Sequence, residues 1–155
     1  MTTEYVGWDP YEALKAMPNV SLEYQEKLEY RGADGMWGLV EKRPDGTWHV
    51  TLKHDLSPIE ERCVLAHELT HIERGFAFTD YTPDALIDLE EDRVEAEAAS
   101  RLVPPVDLVG WLHEQWADGV AVSLTDIADR YRVTEAVADQ ALDVAFAPWN
   151  RGYGK

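Results

Sequence analysis

The residues best suited to chemistry lie in one short segment, where His67, Glu68 and His71 follow the pattern H-E-x-x-H. Histidines four positions apart share one face of a helix, with their Cβ atoms about 5–6 Å apart, so both rings can reach one Zn²⁺. Glu68 points about 100° away around the helix, where it can act on a water at the metal. The spacing predicts a zinc centre held by the two histidines, with Glu68 as catalytic base.

The residues around this motif are mostly apolar, which predicts a buried helix. Two histidines and a glutamate inside such a helix need partners, because unpartnered polar groups are costly to bury. A metal ion supplies that partner. The alternative is a pair of core histidines satisfied by ordinary hydrogen bonds. The apolar neighbours are Val64, Leu65, Ala66, Leu69 and Ile72.

A catalytic zinc site normally has three protein ligands and one open position, so a third ligand is expected downstream. The acid-rich helix predicted over residues 83–103 provides candidates. Its apolar stripe is formed by Ile87, Val94, Ala98 and Leu102, and Glu91 and Glu95 fall in the same stripe. Glu90 and Glu97 flank Arg93 and are assigned to a solvated face.

Two like charges four positions apart in a core stripe repel each other, unless a cation and a protonated partner remove that cost. We therefore predict Glu91 as the third metal ligand. Glu95, one turn further on, would accept a hydrogen bond from a ligand histidine. The alternative is a helix turned so that both glutamates are exposed.

The elements that must position these residues can be predicted from periodicity and turn chemistry. Three strands are expected at residues 19–24, 36–42 and 47–53, the last two joined by a Pro44-Asp45-Gly46 turn. Ser57 to Glu60 is a capping box that starts a helix over residues 58–74, with Gly75 as its C-cap. Further helices are expected at about 83–103, 106–117, 124–131 and 135–146, after a short first helix that begins at Asp9.

This order predicts an α+β protein, in which a small antiparallel or mixed three-stranded sheet packs on the H-E-x-x-H helix and a helical part follows. The 155 residues are expected to form a single domain, with a core over about 1–104 and a helical subdomain over about 105–147. The strand over residues 47–53 directly precedes the motif helix, so we expect it to pair with an extended substrate.

The composition excludes several classes of function. The net charge of −16 disfavours a phosphate-binding or anionic membrane surface and favours a locally basic protein partner. The stretch from Ser123 to Ala145 resembles a helix-turn-helix, but its second helix is acidic, which argues against direct nucleic-acid binding. One cysteine, no signal peptide and no long apolar run predict a cytoplasmic protein without membrane spans.

The motif and the glutamate helix together resemble the ImmA/IrrE family of metallopeptidase-like proteins. Its members carry H-E-x-x-H and then a helix reading roughly E-x-x-A-(N/D)-x-F-A-A-x-L-L-M-P. Glu91 aligns with the ligand glutamate of that helix and Glu95 with its Asn/Asp, while Ala98-Ala99 and Leu102-Val103-Pro104 align with the residues that follow. The departures are Val94, Glu95, Glu97 and Arg101. The resemblance covers about residues 8–146. Within the family, these residues look like those of phage and prophage members from actinobacteria.

The resemblance implies a gluzincin-like zinc endopeptidase that cleaves, or otherwise inactivates, a DNA-binding repressor in phage or stress regulation. In such an enzyme Glu68 takes a proton from the attacking water and passes it to the leaving amine. Tyr81 and His113 are candidates for a second oxyanion donor, although a surface or core role is favoured for each. Two other functions remain open: a binding protein that sequesters a repressor without cutting it, and a purely structural zinc site.

Overall fold

The computed structural model describes residues 5, 7–29 and 36–150, the last two without their side chains. The elements follow the predicted order and the fold is α+β, as expected. Three strands and six helices are formed by the described residues: α1 Pro10–Lys15, β1 Val20–Gln25, β2 Gly38–Lys42, β3 Trp48–Lys53, α2 Pro58–Arg74, α3 Asp84–Leu102, α4 Pro105–Ala117, α5 Leu124–Tyr131 and α6 Glu135–Asn150.

The sheet is mixed and its strand order is β1-β3-β2. β3 pairs in parallel with β1 and antiparallel with β2. Because β3 is hydrogen-bonded along both edges, it has no edge to offer to a substrate, and the prediction that residues 47–53 pair with one is wrong. The sequence could not reveal this, since the parallel partner of β3 comes from more than twenty residues earlier in the chain.

The helix α2 begins and ends as its sequence predicts. Ser57 accepts a hydrogen bond from the backbone of Glu60, whose carboxylate in turn accepts one from the backbone of Ser57. Gly75 ends the helix with a φ of 72°, a conformation that glycine adopts without strain. Leu65 and Leu69 are fully buried against Val50 and Leu52 of β3, which fixes the face of α2 that meets the sheet.

The helix α3 is turned slightly from the predicted orientation. Val94, Ala98 and Leu102 are buried as expected, but Glu95 is exposed and Glu90 is buried, the reverse of their predicted placement. Glu90, Val94 and Ala98 are spaced by four residues and so form one continuous stripe. The sequence analysis assigned Glu90 to a solvated face, but Glu90 is accommodated in this stripe because Arg74 on α2 reaches it.

The described residues form two compact units: Trp8–Val94, and the described residues from Glu95 onward together with Tyr5 and Gly7. The predicted organisation as a single domain with a C-terminal subdomain stays a prediction. In the second unit α6 extends to Asn150, beyond the expected end at 146, with Pro148 in its last turn. No helix in the described part of the chain is long and apolar enough to cross a membrane.

Candidate metal centre

Three predicted ligands converge in the Trp8–Val94 unit. The Nε2 atom of His67 lies 3.0 Å from Oε2 of Glu91, and Nε2 of His71 lies 3.0 Å from Oε1 of the same carboxylate. The two Nε2 atoms are 3.2 Å apart. Within the described ranges these three residues are the one group of histidine, cysteine and acidic side chains whose ligand atoms meet closely enough to hold a metal ion.

The distances within this group fit a tetrahedral ion. Bonds of about 2.0–2.1 Å to zinc would place neighbouring ligand atoms about 3.4 Å apart, close to the observed 3.0 and 3.2 Å. Hydrogen bonds to Glu91 do not account for the close approach of the two nitrogens, because if both donate to the carboxylate, two N–H groups face each other at 3.2 Å. His67, His71 and Glu91 therefore fit a divalent cation by both geometry and donor type.

The carboxylate of Glu91 is held in its ionised form. Partial burial acts to raise the pKa of Glu91, but the hydrogen bonds from His67 and His71 outweigh it and lower the pKa to about 2. An ionised carboxylate and imidazole nitrogens are the ligand types that zinc binds in catalytic sites. The charge that a metal ligand must carry is thus already present in the apoprotein.

Glu68 is buried beside the ligands, with 6% of its surface exposed. This burial raises the pKa of Glu68, while the neighbouring imidazoles of His67 and His71 act in the opposite direction. Gly38, the first residue of β2, explains how the carboxylate is accommodated there. A Cβ atom at Gly38 would lie 2.6 Å from Oε1 of Glu68 and 2.6 Å from Val64, so a larger residue cannot occupy this position without displacing Glu68.

The ligands and Glu68 line an open cavity of about 780 Å³. One wall is β2 and the other is the segment after α2, where the rings of Phe76 and Phe78 meet edge to face with their centroids 5.3 Å apart. Phe78 also meets the ring of His71 edge-on, at a centroid distance of 5.7 Å. The site is therefore an open cleft between a strand edge and an aromatic wall, which suits an elongated ligand.

An ion pair beside the site, between buried Glu90 and partly exposed Arg74, was missed by the sequence analysis. Arg74 donates two hydrogen bonds to the carboxylate of Glu90, at 2.5 Å from Nε and 3.1 Å from Nη2. Glu90 is only 5% exposed, and the bonds from Arg74 hold its pKa below the ordinary value. The sequence did contain a signal for this ion pair, since Arg74 lies one turn beyond His71 and Glu90 directly precedes Glu91. If Glu91 reached His71, Arg74 and Glu90 had to be neighbours as well.

The remaining predicted residues are not brought to the ligands. Glu95 is exposed on α3, and its hydrogen bond to a ligand histidine stays a prediction. Tyr81 is 94% exposed, in keeping with the favoured surface role, and His113 is exposed on α4. Cys63 is buried as a small apolar residue, as its place in the core-facing part of α2 suggests.

The fold and this cluster together define an α+β protein with a candidate metal centre. The family model described as IrrE N-terminal-like domain, Peptidase_M78, matches residues 30–143. The chain therefore belongs to this family of peptidase-like proteins, and the resemblance to ImmA/IrrE proteins is confirmed. Searches of curated proteins and of solved structures found no match.

Proposed function

We propose that the protein is a zinc-dependent endopeptidase. The observation that carries this proposal is the convergence of His67, His71 and Glu91 at tetrahedral distances, with the buried carboxylate of Glu68 lining the same open cavity. A purely structural zinc site is usually closed by four protein ligands. Here three ligands meet at an open cleft, and an additional acid lies between the two histidines in the sequence.

The chemistry follows from the positions of these side chains. When bound, zinc would supply Lewis acidity, which acidifies a water and polarises a carbonyl group. Glu68 would accept the proton of the attacking water and return it to the leaving amine, a role that requires a carboxylate fixed near the metal but not bound to it. Gly38 leaves room for that carboxylate, since a Cβ atom at this position would lie 2.6 Å from Oε1 of Glu68.

The edge of β2 is suited to holding the substrate. Trp37 accepts a hydrogen bond from Lys53 of β3, and Arg43 donates one to Thr47 just before β3. The alternation of an antiparallel ladder therefore turns the N–H and C=O groups of Gly38, Val40 and Lys42 to the outer edge. The sheet described here has no further strand on that side. An extended peptide added there would pass beside Glu68, because Gly38 lies against it.

The walls of the cleft favour an apolar substrate residue. Phe76 and Phe78 on one side and Leu39 on the other line the cavity together with Ile87 of α3. A bulky apolar side chain bound there would bury aromatic surface, at about 25 cal/mol for each Å² removed from water. We therefore propose an extended polypeptide substrate with an aromatic or branched aliphatic residue next to the scissile bond.

The partner that best matches the charge of the whole chain is a DNA-binding repressor in the cytoplasm. Such proteins carry basic surfaces that neutralise phosphates, and a chain with a net charge of −16 would attract them electrostatically. The same charge disfavours nucleic acid and anionic membranes as direct ligands. If a repressor encoded by phage or stress-response genes were cleaved, its DNA-binding part would no longer control the promoter.

The test uses the zinc-loaded full chain and a purified repressor encoded next to its gene, with Glu68→Gln as the matched variant. Glu68→Gln keeps the side-chain volume and the ligands but removes the base. We expect the wild type to produce discrete fragments by mass spectrometry, and the variant to cut about 10²–10⁴-fold more slowly. If both proteins release the repressor from its operator without cutting it, the function is sequestration. If neither cuts nor binds it, the repressor proposal is wrong.

A further inference from the structure

We propose that the Arg74–Glu90 ion pair sets the rotation of α3 so that Glu91 faces the two histidines, and thereby tunes metal affinity rather than stability. This inference rests on the proposed zinc site and concerns residues that take no part in binding the metal themselves. Arg74 and Glu90 are positioning residues, since neither belongs to the ligand cluster.

The geometry of two adjacent residues on one helix is the basis of this proposal. Glu90 and Glu91 point about 100° apart around α3. Both are held by α2: Glu90 by Arg74, and Glu91 by His67 and His71. A single contact would leave α3 free to rotate about its axis, whereas two contacts at different angles to the same partner helix define its rotation.

The chemistry of the pair supports a geometric role. The guanidinium of Arg74 meets both oxygens of Glu90, an arrangement with strict orientation that a lysine would not impose. The pair contributes little net stability, because the desolvation of the buried Glu90 carboxylate offsets its attraction to Arg74, whose side chain stays 28% exposed. What the pair does supply is a preference for one packing arrangement, since rotation of α3 would break the bonds from Arg74 to the buried carboxylate of Glu90.

The experiment compares four full-length proteins: the wild type, Glu90→Gln, the double variant Arg74→Met/Glu90→Met, and Asp92→Asn as the matched control. Asp92 flanks Glu91 on the other side and is exposed, so its substitution removes the same charge at the same sequence distance without touching the ion pair. Zinc affinity is measured by competition with a chelator, stability by thermal unfolding of the metal-free proteins, and ligand geometry by the visible spectrum of the cobalt(II)-loaded proteins.

We expect Glu90→Gln and the double variant to bind zinc about 10–100-fold more weakly, as is usual when the partners that orient a metal site are lost. Asp92→Asn should change affinity by less than about 3-fold, because exposed charges are well screened. The metal-free double variant should unfold within about 4 °C of the wild type, since apolar residues replace both charges. Its cobalt(II) spectrum should differ from that of the wild type, because the ligands no longer hold one geometry.

Three results would overturn the inference: wild-type affinity and spectrum in the double variant, an equal loss of affinity in Asp92→Asn, or a loss that appears only together with a large fall in melting temperature. Failure of the proposed function is a separate result. It would be seen in the wild type alone, as a protein that binds neither zinc nor cobalt(II).

Discussion

Two polar clusters, one in each compact unit, differ in the kinds of side-chain groups that they bring together. In the Trp8–Val94 unit, His67, His71 and Glu91 bring two imidazole nitrogens and a carboxylate to one point. In the unit that begins at Glu95, Asp107 accepts hydrogen bonds from the Tyr131 hydroxyl at 2.5 Å and from Arg130 at 3.4 Å. The second cluster combines one carboxylate with a guanidinium and a hydroxyl, so its acceptor is met by two donors from the same unit.

This difference separates a binding site from a structural cluster. Tyr131 is completely buried, and burial together with its bond to Asp107 raises the pKa of its hydroxyl. The Arg130 guanidinium also lies 4.9 Å from the centre of the Trp111 ring, so the cluster is built into the packing of its helices. The histidine cluster brings two imidazole nitrogens within 3.2 Å of each other and opens onto a cavity, and a divalent cation is a partner that all three ligand side chains can share.

The largest expected effect comes from removing one ligand from the histidine cluster. Glu91→Ala should reduce bound zinc from about one ion per chain to less than about a tenth, because two histidines alone leave the ion without its anionic ligand. Zinc at a thousand times its Kd should stabilise the wild type by about 4 kcal/mol and should not stabilise the variant. Metal analysis and thermal unfolding with added zinc measure both effects.

Asp88→Ala is the control for this variant, because Asp88 is an exposed acid on the same helix. It should keep both the zinc and the zinc-dependent stabilisation. Undiminished zinc in Glu91→Ala would show that the histidine cluster is completed by some other residue, and the contrast between the two clusters would no longer depend on a cation.

A smaller effect is expected when the surroundings of the cluster change but its ligands do not. In Gly38→Ala the new methyl group would meet Glu68 and Val64 at 2.6 Å, so the carboxylate of Glu68 must move. Misplacement of a reacting group by about 1 Å can cost 10²-fold in rate, and we expect a loss of about that size in peptide cleavage with zinc content unchanged.

Gly46→Ala provides the comparison, because an added Cβ there meets nothing within 4 Å. Gly46 has a φ of 86°, so this substitution strains the turn between β2 and β3 and is expected to lower stability but not the rate of cleavage in the folded protein. Equal rates in Gly38→Ala and the wild type would show that Glu68 does not need its observed position.

The sequence predicted most of the fold because local signals and the global packing agree. The capping box at Ser57, the glycine at 75 and the period of the apolar residues placed the motif helix correctly, and the spacing of the histidines placed the ligands on one face. What it did not predict depends on contacts between distant segments. The central position of β3 follows from a parallel pairing with β1, which no local pattern encodes.

The error on α3 has a similar physical origin. A periodicity argument treats acidic residues as solvent-facing unless an apolar stripe contains them, so Glu90 was placed outside and Glu95 inside. The real stripe includes Glu90 because Arg74, sixteen residues earlier, neutralises it. Single-sequence patterns describe the faces of one helix, whereas the burial of a charge is decided by its partner on another.

The smallest expected effect tests the cluster around Asp107. Tyr131→Phe removes the hydroxyl that donates to Asp107 but keeps the ring in the core. We expect it to lower the free energy of unfolding by about 1.5 kcal/mol, a typical value for a hydrogen bond to a charged acceptor. Zinc content and cleavage rate should be unchanged, because Tyr131 supplies no atom to the ligand group. Chemical denaturation and metal analysis of the same preparation measure both quantities.

Tyr24→Phe is the matched hydroxyl deletion at a half-exposed site, where the bond to Glu61 competes with water. It should cost less than about 0.5 kcal/mol, as is usual for substitutions at the surface. If Tyr131→Phe costs no more than Tyr24→Phe, the Asp107 cluster contributes little to the fold. If Tyr131→Phe also lowers zinc affinity, the two clusters are energetically coupled. The distinction between a structural cluster at Asp107 and a metal-binding cluster at His67, His71 and Glu91 then fails.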